Sequence, residues 1–208
     1  TTRDIDRGEH PHFLLKEITE SPRSFRKTLR GKIAGDDELE VRLGTETLPE
    51  DAREGLAAGK IDHVVVIGQG TAAVAGQALA STLDRLTVGS DLRVRSGLAT
   101  ELSGFGLRHD MSDTLVVAVS QSGTTTDTNR TVDLARSRGA TVISIVNRRG
   151  SDLTDRSDGV LYTSDGRDVE MSVASTKAFY SQVAAGVLLA AAIAAEVDDS
   201  PAGRADRS

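Results

Sequence analysis

A hydroxyl-rich loop follows an apolar, β-branched run in the middle of the chain. The run from Leu115 to Val119 is typical of a buried strand, and the loop reads Ser120-Gln121-Ser122-Gly123-Thr124-Thr125. The residues after it, to Arg138, are compatible with a helix. A helix N-terminus gathers unpaired N–H groups and a partial positive charge, and the loop side chains add further donors. The stretch therefore predicts a phosphate-binding loop.

The loop contains no Lys or Arg, so recognition would depend on neutral donors and the helix dipole. This composition favours one phosphate monoester over a triphosphate with its metal ion, for which the missing pattern GxxxxGK[ST] would be expected. A second interpretation stays open. In it, the stretch is a Ser/Thr-rich strand-to-helix turn with Ser122 as the N-cap.

This loop and four other short stretches match, in the same order, the motifs of one protein family. Ser120 to Thr128 is similar to the family loop SQSGETxDT. The other four are Leu15 to Pro22 (family KEIxEQP), Gly70-Thr71 (CGTS), Ala99 to Glu101 (ASE) and Val173 to Phe179 (VASTKAF). The chain thus resembles, over residues 10 to 195, the sugar isomerase (SIS) domains of the glucosamine-6-phosphate synthase type.

The resemblance implies a set of sugar-phosphate contacts, in which the last two residues line the sugar. They are Thr71, Ser120, Gln121, Ser122, Thr125, Val173 and Ser175. Two positions depart from the family pattern, because Ala72 replaces a Ser and Thr124 replaces a Glu. Either departure is compatible with a changed ligand. We expect no cofactor and no metal at this site, and the catalytic residues stay unknown.

Apolar strands alternate with helices along the chain, without hairpin turns between them. The expected strands begin near His63, Leu92, Leu115, Thr141 and Gly159. The alternation predicts a parallel sheet covered on both faces, and the resemblance implies a three-layer, doubly wound, flavodoxin-like α/β fold with five parallel strands. Ligands of such sheets bind beyond the strand C-termini at a switch point. We expect a helical arm at 1–47, a phosphosugar-binding lobe at 48–197 and a linker or tail at 198–208.

The arm is expected to contain two helices. The first begins near Phe13, and Ser21-Pro22 predicts a new start, with Ser as N-cap and Pro as the first helical residue. Apolar residues every fourth position then predict one stripe on the second helix, formed by Phe25, Leu29 and Ile33. The opposite face is rich in Arg and Lys, which indicates either a solvated face or docking to an acidic neighbour.

The residues Gly68, Gly70 and Ala73 satisfy the dinucleotide pattern GxGxx[GA]. The acid that would hold the ribose is expected at the end of the next strand, but that strand ends in Ser96-Gly97. We therefore expect no NAD binding and interpret Gly70-Thr71 as a second loop over the same cleft.

Composition narrows the classes of partner and compartment. The net charge of −6 argues against nucleic acid or an anionic membrane as a partner. The absence of Cys excludes a disulfide framework and a thiolate metal site. We find no signal peptide and no apolar run of 18 residues, so the expectation is a cytoplasmic protein. The apolar run from Val183 to Ala195 predicts a buried helix.

Two groups of residues have the chemistry of metal ligands, but we expect neither to bind a metal. His10 and His12 lack a third ligand nearby, and the acidic loop with Asp165, Asp168 and Glu170 is interrupted by Arg167.

The resemblance implies that this chain is one of the two lobes of an enzyme. In the family, two such lobes convert a ketose 6-phosphate to an amino-sugar phosphate, with ammonia from a glutaminase, and the catalytic Glu, His and Lys belong to the second lobe. No copy of that lobe follows residue 195, and a glutaminase would need a Cys. We expect a hexose 6-phosphate-binding lobe that forms a homodimer, needs a second SIS lobe and is inactive alone. The alternative is a non-catalytic phosphosugar sensor.

Overall fold

The computed structural model describes residues 6–35, 39–172 and 174–198. The strands are β1 (Ile33–Ala34), β2 (Glu40–Val41), β3 (His63–Gly68), β4 (Arg93–Leu98), β5 (Thr114–Ser120), β6 (Thr141–Val146) and β7 (Gly159–Tyr162). The first two form a small antiparallel pair, and the other five form one parallel sheet in the order β4-β3-β5-β6-β7. The five-stranded parallel sheet is confirmed.

Seven α-helices surround the sheet in the described part of the chain. They are α1 (Phe13–Leu29), α2 (Glu50–Ala57), α3 (Thr71–Leu86), α4 (Ala99–Glu101), α5 (Thr126–Arg136), α6 (Asp152–Asp155) and α7 (Lys177–Asp198). A π-helical turn (Leu102–Gly106) extends α4, and a 3₁₀ turn (Ser164–Gly166) follows β7.

Two apolar layers sandwich the sheet because successive strand residues point to opposite faces. In β3, Val64 and Val66 pack towards α2, α3 and α7. Val65 and Ile67 pack instead towards α4, α5 and α6. The central strand β5 is buried along its whole length, as its uninterrupted apolar run requires. The doubly wound α/β architecture is confirmed.

The expected break in the N-terminal arm is wrong, because α1 is one continuous helix with Pro22 inside it. Proline cannot donate a backbone hydrogen bond, and the Ser21 hydroxyl donates to the carbonyl of Glu17 at 3.0 Å in this turn. Packing against α7 keeps the helix in place. The division at residue 47 stays a prediction.

The orientation of α1 also differs from the expectation. The stripe residue Phe25 is 37% exposed, and Ile33 lies outside the helix in β1. The buried positions of α1 are polar, namely Lys16, Glu17, Ser24 and Thr28. Buried hydrogen bonds, rather than apolar periodicity, therefore decide which face of α1 points inward.

Helix α7 starts at Lys177, three residues later than expected, and crosses one face of the sheet. It is the one helix among the described residues that is long and apolar enough to cross a membrane, and 67% of its most apolar window is buried inside the protein. This burial is the behaviour of a core helix, as the Ala-rich run predicts.

Candidate functional site

A cleft opens at the C-terminal edge of the sheet, beside β3 and β5. From these neighbouring strands the chain continues in opposite directions, to β4 and to β6. Doubly wound sheets bind ligands at such a switch point. The cleft has a volume of about 240 Å³, and it is lined by Gln69, Thr71, Ala72, Val119, Ser120, Gln121, Ser122, Thr125, Thr128, Glu170, Ser172, Ser175 and Gln182.

The structure brings together six of the seven residues that the sequence predicts as ligand contacts. They are Thr71, Ser120, Gln121, Ser122, Thr125 and Ser175. The seventh, Val173, lies outside the described residues. Of the two positions that depart from the family pattern, Ala72 lines the cleft, whereas Thr124 is exposed and donates its hydroxyl to the Ser122 hydroxyl at 3.0 Å.

The loop after β5 is held by its own hydrogen bonds. The N–H of Gly123 donates to the Ser120 hydroxyl oxygen at 3.0 Å, and the Gly123 carbonyl accepts from the N–H of Leu153 at 3.0 Å. The side-chain amide of Asn129 donates to the same carbonyl at 3.3 Å. Gly123 adopts a φ of +67°, a left-handed backbone that favours glycine. The loop is therefore preorganised around this residue.

The N-cap of α5 is Thr125, not Ser122, and its side chain makes no capping hydrogen bond. The interpretation of Ser122 as a simple N-cap is therefore wrong. Its hydroxyl oxygen instead accepts from the N–H of Thr124 at 3.3 Å, inside the loop. Because the first N–H groups of a helix have no intrahelical partners, the start of α5 offers donors to the cleft.

The glycines between β3 and α3 have a steric explanation. A Cβ atom at Gly68 would lie 2.8 Å from the backbone nitrogen of Ala73, and Gly70 has a φ of +56°. The chain turns so tightly into α3 that neither position accommodates a side chain without strain. This turn places Thr71 at the start of α3 and in the cleft wall.

A third wall comes from the segment that leads into α7. The Glu170 carboxylate accepts hydrogen bonds from the N–H of Thr176 at 2.7 Å and of Ala178 at 3.3 Å, and from the Ser175 hydroxyl at 3.1 Å. Glu170 thus supplies the negative charge that a helix N-terminus favours. The start of α7 is already occupied by this carboxylate, whereas the start of α5 is open.

Two polar residues of the cleft floor were missed in the sequence. The Thr128 hydroxyl and the Gln182 carbonyl oxygen are buried without a hydrogen-bond partner, and the two residues are 1% and 3% exposed. Buried polar groups are nearly always paired, so a water or a ligand group is expected to pair with them. For Gln182, the signal in the sequence was an amide placed directly before the apolar run Val183 to Ala195.

The charge of the described cleft lining is low, since Glu170 is its one ionisable residue. A separate cluster, Asp62, His63 and Asp113, lies at the opposite edge of the sheet and has a spacing that could suit a metal ion. However, Arg108 donates to the Asp113 carboxylate at 2.8 Å, and this hydrogen bond is the main reason why the pKa of Asp113 falls to about 2. The Arg108 guanidinium therefore already offsets negative charge in this cluster.

The acidic loop does not form one site either. The Asp168 carboxylate binds Lys27 at 3.0 Å and two serine hydroxyls, whereas Glu170 caps α7. The carboxylates of this loop therefore have separate structural partners.

Comparison with known proteins identifies the family of the chain. The model of the SIS domain family matches residues 59–192. The glutamine–fructose-6-phosphate aminotransferase (isomerizing) of Symbiobacterium thermophilum is 41% identical over 187 residues, 89% of this chain and 28% of that protein. The Thermus thermophilus protein of the same name is 38% identical over 197 residues, 91% of this chain and 29% of that protein.

Solved structures give the same result. The C-terminal domain of glucosamine-fructose-6-phosphate aminotransferase from Francisella tularensis is similar with a TM-score of 0.78 at 26% identity, over 93% of this chain and 51% of that chain. This chain spans less than a third of the length of the curated relatives described above. With the family model matching well over half of its residues, this chain belongs to the SIS domain family.

Proposed function

We propose that the cleft binds a hexose 6-phosphate, with the phosphate on the loop Ser120–Thr125 and the sugar towards Ser175. Thr71 is proposed as a further contact of the sugar phosphate, and Val173, outside the described residues, as a further contact of the sugar. The observation that carries the proposal is the open start of α5 beside the hydroxyls of the loop. Charge-assisted hydrogen bonds from neutral donors hold a phosphate dianion without a Lys or Arg.

The position of Glu170 supports this orientation. Its carboxylate caps α7 on another wall of the cleft, and a phosphate dianion placed beside it would be repelled. The sugar hydroxyls, by contrast, can donate to carboxylate and amide oxygens. The ligand is therefore expected to place its charge near α5 and its hydroxyls near Ser175 and Gln182.

We further infer that the chain is the phosphosugar-binding lobe of an amino-sugar synthase. Two observations support this inference: the relatives named as aminotransferases match over about 28% of their length, and the Francisella domain is about twice as long as this chain. The catalytic groups would come from a second SIS lobe, in the parent protein or in a partner chain. Assembly as a homodimer belongs to the same proposal.

Titration calorimetry with fructose 6-phosphate and glucose 6-phosphate tests the binding proposal. A hydrogen bond to a charged group contributes about 1.5–3 kcal/mol, so Ser122→Ala and Thr125→Ala should each weaken binding by roughly ten- to a hundredfold. The matched control is Ser137→Ala, because this hydroxyl donates to the Leu134 carbonyl at the other end of α5. Unchanged affinity in both loop variants, or equal binding of unphosphorylated fructose, would remove the loop from the site.

A further inference from the structure

The buried face of α1 makes hydrogen bonds to the segment that forms the third wall of the cleft. Glu17 is 1% exposed, and its carboxylate accepts from the N–H groups of Met171 and Ser172, the latter at 3.3 Å, and from the Ser172 hydroxyl. These partners lie about 155 residues away in the chain. Ser172 itself lines the cleft.

Two further contacts join α1 to the same segment on either side of Glu17's partners. Glu20 binds the Lys177 ammonium at 2.7 Å, at the first residue of α7. Lys27 binds the Asp168 carboxylate at 3.0 Å. The segment from 168 to 177 is thus attached to α1 at both ends and in its middle.

Burying a carboxylate under a helix is unfavourable, because the charged group loses its hydration unless hydrogen bonds inside the protein replace it. An apolar residue at position 17 would fill the space but could not accept hydrogen bonds from two consecutive backbone N–H groups. Those groups belong to an irregular segment without strand or helix partners of its own. The carboxylate therefore fixes backbone that regular secondary structure does not.

We propose that Glu17 is a positioning residue of the ligand site. Acting through Met171 and Ser172, it holds the described cleft residues of this segment, Glu170, Ser172 and Ser175, in the conformation that receives the sugar part of the ligand. This inference rests on the proposed binding of a phosphosugar. In this inference, different parts of the protein position the two ends of the ligand. Helix α1 positions the residues that bind the sugar, whereas the loop proposed to bind the phosphate, after β5, is held by its own hydrogen bonds and by α6.

The substitution Glu17→Gln tests the inference. It keeps the size of the side chain but replaces one acceptor oxygen with an NH₂ group that faces backbone donors. We expect the affinity for fructose 6-phosphate to fall by about tenfold, because the loss of this hydrogen bond would leave roughly a tenth of the molecules in the binding conformation. The affinity for inorganic phosphate, which contacts only the β5 loop, is expected to stay within about twofold.

The control for general destabilisation is Leu56→Ala. Leu56 belongs to α2, is 2% exposed in the core and does not line the cleft. This variant lowers stability through a cavity but should leave both affinities unchanged. Amide hydrogen exchange of the ligand-free protein adds a direct readout, because Glu17→Gln should speed exchange at Met171 and Ser172 and not in β5.

The measurements distinguish a failure of the inference from a failure of the proposed function. If the wild-type chain binds neither fructose 6-phosphate nor phosphate, the proposed function is wrong. If the wild type binds but Glu17→Gln weakens both ligands equally, or neither, the inference is overturned. Should Glu17→Gln fail to fold, Glu17→Asp keeps the charge and both acceptor oxygens but shortens the side chain, and it is expected to give a smaller loss with the same selectivity for the sugar phosphate. Equal effects on the two ligands, or no effect on either, would overturn the inference there too.

Discussion

The substitution Gly123→Ala is expected to damage both stability and binding, for two separable reasons. The φ of +67° at Gly123 costs an L-residue about 1–2 kcal/mol. In addition, a Cβ atom there would lie 2.1 Å from the Ser151 hydroxyl oxygen and 2.6 Å from the Ser151 Cβ. Ser151 is 3% exposed, so the loop itself must shift.

The size of the effect follows from these two terms. Overpacking a buried site costs typically about 1–3 kcal/mol, and together with the backbone term we expect a loss near 3 kcal/mol. For a chain of this length, this loss lowers Tm by about 6–12 °C in a thermal melt. The shift would also break the hydrogen bond from the Leu153 N–H to the Gly123 carbonyl, so phosphosugar affinity should fall more than about tenfold.

A matched control isolates the crowding. Gly150 has a similar φ of +61°, but a Cβ there would meet no atom within 4 Å. Gly150→Ala should therefore show only the backbone cost of about 1–2 kcal/mol and normal binding. In the double variant Gly123→Ala/Ser151→Gly, most of the crowding is removed, and part of the Tm loss should return. The reasoning is refuted if Gly123→Ala melts and binds like Gly150→Ala.

Three further predictions concern pH, alternative ligands and turnover. Burial alone would raise the pKa of Asp168, but hydrogen bonds from two serines and Lys27 bring it below the ordinary 3.8. The ionised Asp168 side chain therefore stabilises the folded protein above pH 3.8, and this contribution is lost as the pH falls below that value. Asp168→Asn should make the free energy of unfolding depend less on pH on the acid side, and an unchanged pH dependence contradicts this. NAD and ATP should not bind in calorimetry, since the ribose acid and the P-loop Lys are missing; micromolar binding of either reverses this interpretation. The chain alone should not turn over fructose 6-phosphate with ammonium, because a phosphate cradle binds ground and transition states alike; turnover abolished by Glu170→Gln would show that this lobe carries its own base.

Local sequence determined the sheet and the hydroxyl-rich loop after β5. The apolar, β-branched runs of β3, β5 and β6 are buried strands because every second residue faces one of two covering helix layers. The loop after β5 is similarly local, since its hydroxyls, Gly123 and the start of α5 lie within about ten residues of one another. Because parallel strands end at one edge of a sheet, the sequence also predicted that Thr71 and the loop share a cleft.

Tertiary structure decided the rest of the site. Apolar spacing predicted a stripe with Phe25, yet α1 buries Glu17 and Thr28, because hydrogen bonds to a segment about 150 residues later outweigh the local pattern. Likewise, no helical or strand periodicity in the sequence predicts that Glu170 caps α7. Burial of a polar residue is favourable only when its partners are in place, and those partners are set by the packing of distant elements, which local sequence patterns do not encode.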